Sequence, residues 1–96
     1  MLFKKSRYLN RLGFRLDEAL AITSKASGGY NYEFSAAEEF HSALMESTNR
    51  LKAGDKNQIE NLQRWFHPSG AWDEFVDMQD KPLANDIEHL IHKITR

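Results

Sequence analysis

Trp65-Phe66-His67-Pro68-Ser69-Gly70-Ala71-Trp72-Asp73-Glu74-Phe75-Val76-Asp77 brings four large aromatics, a Pro/Gly turn and three acids together. Pro68 cannot continue a helix and biases His67 toward extended conformations, so a helix arriving at Phe66 has to stop. Beyond Gly70 the rings either fold back onto that helix or face solvent, and this choice decides how the second half of the chain closes. In the first case Trp72 and Phe75 cover Trp65, on the flank of its helix's apolar stripe, and the acids form a solvated rim. In the second, Trp72 and Phe75 are interface anchors, since aromatic rings give large contact area at small entropic cost, and the acids steer a basic partner.

Working outward, the chain reads as helices separated by clear stop signals. The first is expected from about residue 4 to 26, with Leu9, Leu12, Leu16, Ala19, Leu20 and Thr23 on one face at three- and four-residue steps. Ser27-Gly28-Gly29 ends it. The second is expected to begin at Ser35, where Ser35 and Glu38 have capping-box spacing, and to turn Ala37, Phe40, Leu44, Ser47 and Leu51 inward until Gly54. A third opens at Asp55 or Asn57, with Gln58 placed to bond back to Asp55, and buries Ile59, Leu62 and Phe66 before His67-Pro68. A one-turn helix fits Ala71 to Val76. The last has Pro82 in its first turn and Leu83, Ile87, Leu90, Ile91 and Ile94 on one face. The pattern predicts an all-α, four-helix bundle-like single domain over residues 1–96, with the aromatic turn between its third and fourth long helices.

Composition agrees with one folded unit. With 96 residues, 41% hydrophobic and 28% charged, the chain can form one modest core and sits away from the disordered class. No apolar run approaches the roughly 20 residues of a membrane span. Met1-Leu2-Phe3-Lys4-Lys5 lacks the apolar stretch and cleavage site of a secretory signal. The absence of cysteine removes disulfides and thiolate metal sites, and fits a reducing cytoplasm.

The net charge of −1 hides an uneven distribution. Through Ala26 there are six basic residues and two acids, a net of +4, so the remainder carries −5. The densest acidic part has Asp73, Glu74, Asp77, Asp80, Asp86 and Glu88 around a single Lys81. Acids packed so closely repel one another, and such a lobe is either satisfied internally or offered to a partner. On the first helix Lys4, Arg7, Arg11 and Arg15 form a stripe roughly opposite the leucines, an alternative anion-binding face for nucleic acid or an acidic membrane surface. The pI near 6.4 argues against nucleic acid, and no nucleic-acid-binding motif accompanies the stripe. The other account is a solvated face paired with acids of neighbouring helices.

In Tyr30-Asn31-Tyr32-Glu33-Phe34 the aromatics alternate, so an extended chain would place three rings on one side. This segment is either an edge that a partner strand extends or a loop whose rings close the bundle. His89 and His92, beside Glu88, supply two ligands at most toward a tetrahedral metal site, and the wheel points them to solvent. His41 and His67 stand in no motif with a nucleophile. The sequence thus offers neither a catalytic constellation nor a cofactor motif, and the expectation is a non-enzyme.

In size, cysteine-free helical make-up and the acidic, aromatic segment Trp72-Asp73-Glu74-Phe75-Val76-Asp77, the chain resembles the small helical immunity proteins with which bacteria neutralise a nuclease or other toxin domain. The resemblance is one of type, and no binding residue is carried over from it. It implies a cytoplasmic inhibitor whose acids mimic the phosphates that a basic nuclease cleft expects. On that reading Asp73, Glu74, Asp77 and Asp80 around Trp72 and Phe75 bind the partner. A structural subunit, or a homodimer through Tyr30, Tyr32, Trp65 and Trp72, is the remaining alternative to a monomer.

Overall fold

A computed structural model describes residues 2–96, with side chains from Arg7 onward. It contains, in order, α1 (Leu2–Thr23), α2 (Ala37–Lys52), α3 (Gln58–Phe66), the short α4 (Ala71–Phe75), a single 3-10 turn (Met78–Asp80) and α5 (Leu83–Thr95). The protein is all-α, as the periodicity predicts, with four long helices and one short one among the described residues.

The apolar stripes meet in one core. Leu12, Leu16 and Ala19 of α1, Phe40 and Leu44 of α2, Leu62 and Phe66 of α3, and Ile87 and Ile91 of α5 are essentially inaccessible to water. Leu9, Leu20 and Leu83, at the edges of their stripes, are only partly covered. α1 packs along both α5 and α2. Arg15 reaches Asp86 at 3.8 Å, while Arg11 and Leu90 share a groove, so α1 and α5 run antiparallel.

Helix ends follow local chemistry. α1 stops at Thr23, three residues short of the predicted end, because Lys25 and Ala26 donate to the carbonyls of Ile22 and Thr23 in tight turns. The hydroxyl of Ser24 also bonds back to the Ala21 carbonyl. α2 starts at Ala37 rather than Ser35. The expected reciprocal box is absent: Glu38 accepts from the Gly28 N–H at 3.1 Å, and Glu39 accepts from the Ser35 N–H at 3.1 Å. At the other end of α2, Gly54 has φ +106 and the Asp55 N–H returns to the Arg50 carbonyl at 2.9 Å, with Gly54 N–H on Leu51. That double closure needs a left-handed residue, which glycine supplies without a Cβ penalty. The predicted Gln58 to Asp55 bond forms between side chains at 2.9 Å.

The turn after α3 folds back. Its hinge is Gly70, where a Cβ would stand 2.8 Å from the Trp65 carbonyl oxygen and 2.9 Å from that of His67, and closer still to that of Arg64. Only glycine lets the chain pass so near the end of α3. Trp72 is consequently delivered into the core, 5.1 Å from the Phe66 ring, with its indole N–H donating to the Lys81 carbonyl at 3.3 Å. Phe75 stacks on Phe40 at 5.7 Å, and Phe40 in turn meets Phe34 and Trp65. The rings therefore fold back and complete the core, with Trp72 on Phe66 and Phe75 on Phe40 where the expectation had them over Trp65.

Candidate functional site

The 73–80 segment is what α4 and the 3-10 turn leave at the surface once their rings are buried. Trp72 is 0% and Phe75 9% exposed, which corrects the expectation that they are surface anchors. Two rings of this size in water would forgo a large burial gain, and Phe66 of α3 and Phe40 of α2 offer them surfaces to cover. The same holds for Trp65, so of the four rings considered for a homodimer only Tyr30 and Tyr32 are exposed.

The acids form the rim. Glu74 and Asp77 are exposed, Asp73 and Asp80 half-buried. Asp73 is occupied locally, accepting from the Ser69 N–H at 2.9 Å and so holding the left-handed Ser69 turn ahead of α4. Among the described residues no cation lies within 4 Å of Asp73, Glu74, Asp77 or Asp80. Met78 stands between Asp77 and Asp80 with 82% of its surface in solvent. It was not singled out in the sequence, yet a methionine inside an acid run that belongs to no helical stripe is the signal that marks it. Methionine is flexible and polarizable, and it is enriched at interfaces. Beside this rim runs a cleft of about 510 Å³ whose walls include Ile22, Lys25, Phe75, Asp77 and Asp80. Gly29 lies against the Phe75 ring, which seats the 28–34 loop next to the acidic segment.

That loop is a loop and not a strand. Asn31 and Phe34 exchange backbone hydrogen bonds at 3.0 and 3.1 Å, and the Asn31 side chain accepts from the Glu33 N–H at 2.8 Å. The tight turn breaks the alternation, sending Phe34 inward and leaving Tyr30 and Tyr32 outside. Glu33 anchors it: its carboxylate takes Arg64 at 2.7 and 3.1 Å and the Trp65 indole N–H at 3.2 Å. The Arg64 bonds hold the Glu33 carboxyl below the usual carboxylate range and, reciprocally, raise Arg64. Glu38 is lowered too, chiefly by the Gly28 N–H.

The basic stripe is interrupted. Arg15 bonds Glu18 at 2.7 Å and reaches Asp86, while Arg7 and Arg11 are exposed with no carboxylate within 4 Å among the described residues. The Lys4 side chain lies outside the described residues. What remains is a face of mixed sign rather than a continuous phosphate track.

The histidines divide between structure and surface. Thr23 Oγ1 and His41 Nδ1 are 2.6 Å apart and tie the end of α1 to α2. His89 and His92 are exposed and share a depression with His67, whose Nδ1 is 3.4 Å from Glu88. Among the described residues no three His, Asp or Glu side chains are placed to hold a metal ion, and no helix is long and apolar enough to cross a membrane.

No family model matches the sequence, and no curated protein or solved structure matches it either.

Proposed function

We propose that this protein is a non-enzymatic binding module that neutralises a basic protein domain, as a toxin immunity protein does in the bacterial cytoplasm. The observation that carries the reading is the set of carboxylates Glu74, Asp77 and Asp80, with no cation within 4 Å among the described residues, in the same segment as the exposed Met78. Unpaired acids repel one another, and a basic cleft would relieve that repulsion while the acids accelerate its approach. The buried Trp72 and Phe75 serve this surface from beneath, as rigid supports under α4 and the 3-10 turn. A rim held in place by core rings pays little ordering entropy on binding.

The test separates surface from core. Wild type and Glu74→Lys/Asp77→Lys/Asp80→Lys are immobilised side by side and offered the basic proteins of the source cell and its toxin fraction. The expected result is a basic protein captured and inhibited by wild type, with an association rate that falls steeply with salt, and lost by the lysine variant. Equal capture and inhibition by both chains, each shown folded by circular dichroism, would overturn the reading.

A further inference from the structure

Phe14 lies near the middle of α1 on its solvent face, 70% exposed and off the stripe of Leu12, Leu16 and Ala19 that enters the core. Grooves flank it on both sides. One, of about 400 Å³, is bounded by Leu9, Gly13 and Leu51; the other, of about 350 Å³, lies between α1 and α5 over Leu90, with Arg11 and Glu18 at its rim. A ring left in water between two grooves is a shape that fits another apolar surface.

We propose that this face of α1 is a two-fold interface between two copies of the chain, with the helices antiparallel and Phe14 meeting Phe14 at the axis. The charges around Phe14 select the partner. At about 100° per residue, Arg11 and Glu18 lie on the same flank of the helix, about 60° and 40° from Phe14, one turn before it and one turn after. A two-fold axis lying in the interface and crossing α1 at Phe14 reverses the helix direction and preserves the flank. Arg11 of each copy then stands against Glu18 of the other, so the pair forms twice. A parallel two-fold arrangement would instead reverse the flank, leaving Arg11 and Glu18 of each copy away from the opposite charge of the other.

The remaining positions agree. Arg11 has no carboxylate within 4 Å in its own chain among the described residues, so it is free to pair. Glu18 is already oriented by Arg15 at 2.7 Å. Arg7 falls opposite Ala21, a small exposed residue, rather than another cation. The face is thus complementary to itself, as an isologous interface has to be. A single helix pair buries less than a standard interface, so the dimer belongs to the weak, concentration-dependent class.

The experiment is sedimentation equilibrium over a concentration series on the whole chain. Wild type is expected to pass from monomer to dimer, and Phe14→Ala to raise the dissociation constant about a hundredfold, because a ring is lost from both sides. Arg11→Glu alone and Glu18→Arg alone are each expected to be monomeric, having like charges at both pair positions. An equimolar mixture of the two restores opposite charges at both positions and is expected to dimerise. A wild-type dimer that each single change abolishes and the mixture restores is the pattern of the antiparallel pairing, because only there does wild type set Arg11 against Glu18, and circular dichroism of each variant excludes misfolding as the cause of a monomer. A wild type that stays monomeric at its solubility limit, or two single variants that fail to rescue each other, would overturn the proposal and leave Phe14 to a different partner.

Discussion

Arg64 grips the Glu33 carboxylate with two nitrogens, Nη2 at 2.7 Å and Nε at 3.1 Å, and thereby pins the loop between α1 and α2 onto α3. Because this bond lowers the Glu33 pKa in the folded state, its contribution is complete above the ordinary glutamate value of 4.5 and disappears as pH falls through the lowered value. Glu33→Gln is therefore expected to flatten the acid limb of a stability-versus-pH curve. At neutral pH the loss is about 1 kcal/mol, held small because Arg64 is 44% exposed and solvent screens the pair. Urea denaturation from pH 7 down to pH 3 checks it; an unchanged acid limb would show that the clasp adds nothing to folding.

Gly70 and Gly54 are expected to respond differently to alanine. At Gly54 a Cβ meets open space, so the cost is that of holding alanine at φ +106, about 1 kcal/mol. At Gly70 the Cβ would collide with three carbonyl oxygens at the end of α3, and backbone atoms cannot step aside as a flexible side chain can. A loss of about 3 kcal/mol is expected for Gly70→Ala. Chemical denaturation of the two variants in parallel reads the difference, and equal losses would mean that the turn relaxes around the added carbon.

Thr48 and Thr23 are both buried threonines with opposite accounts. Thr48 Oγ1 has no hydrogen-bond partner among the described residues, whereas Thr23 Oγ1 bonds His41 and the Leu20 carbonyl. Valine keeps the shape of threonine and removes the hydroxyl. Thr48→Val is expected to raise stability by about 1 kcal/mol by removing an unsatisfied group, and Thr23→Val to lower it by about 1 to 2 kcal/mol by orphaning His41 Nδ1. Thermal unfolding of the pair is the check, and a loss at Thr48 would expose a partner for its hydroxyl.

The core was legible because it is periodic: Leu12, Leu16, Phe40, Leu44, Leu62, Ile87 and Ile91 all lie where three- and four-residue spacing puts them. Elsewhere a competing hydrogen bond overrides a local pattern. Ser35 and Glu38 have the spacing of a capping box, but the Gly28 N–H takes the Glu38 carboxylate. Tyr30, Tyr32 and Phe34 alternate like a strand, but the Asn31 side chain closes a turn within the run. The aromatic stretch was ambiguous for another reason. Whether Trp72 plugs or projects depends on a Gly70 backbone path that no local propensity encodes, and with Trp72 buried the exposed apolar group among the acids is Met78.

Trp72 joins the core to the acidic segment through two contacts of different kind, its packing on Phe66 and its N–H to the Lys81 carbonyl. Trp72→Ala removes both and opens a cavity at a fully buried site, with an expected loss of about 3 to 5 kcal/mol. Trp72→Phe keeps most of the packing and deletes the donor, leaving the Lys81 carbonyl unpaired on this side. Its expected signature is local: faster amide exchange at Asp80 and Lys81, whose N–H groups close the 3-10 turn, with the amides of α1 and α2 unchanged. Met78→Ala, by contrast, trims a side chain that is almost wholly in solvent and is expected to leave stability within about 0.5 kcal/mol of wild type. Hydrogen exchange resolved by residue distinguishes these variants. If Trp72→Phe accelerated exchange evenly through the core, the indole N–H would be supporting the whole bundle rather than fixing the surface that carries Asp77, Met78 and Asp80.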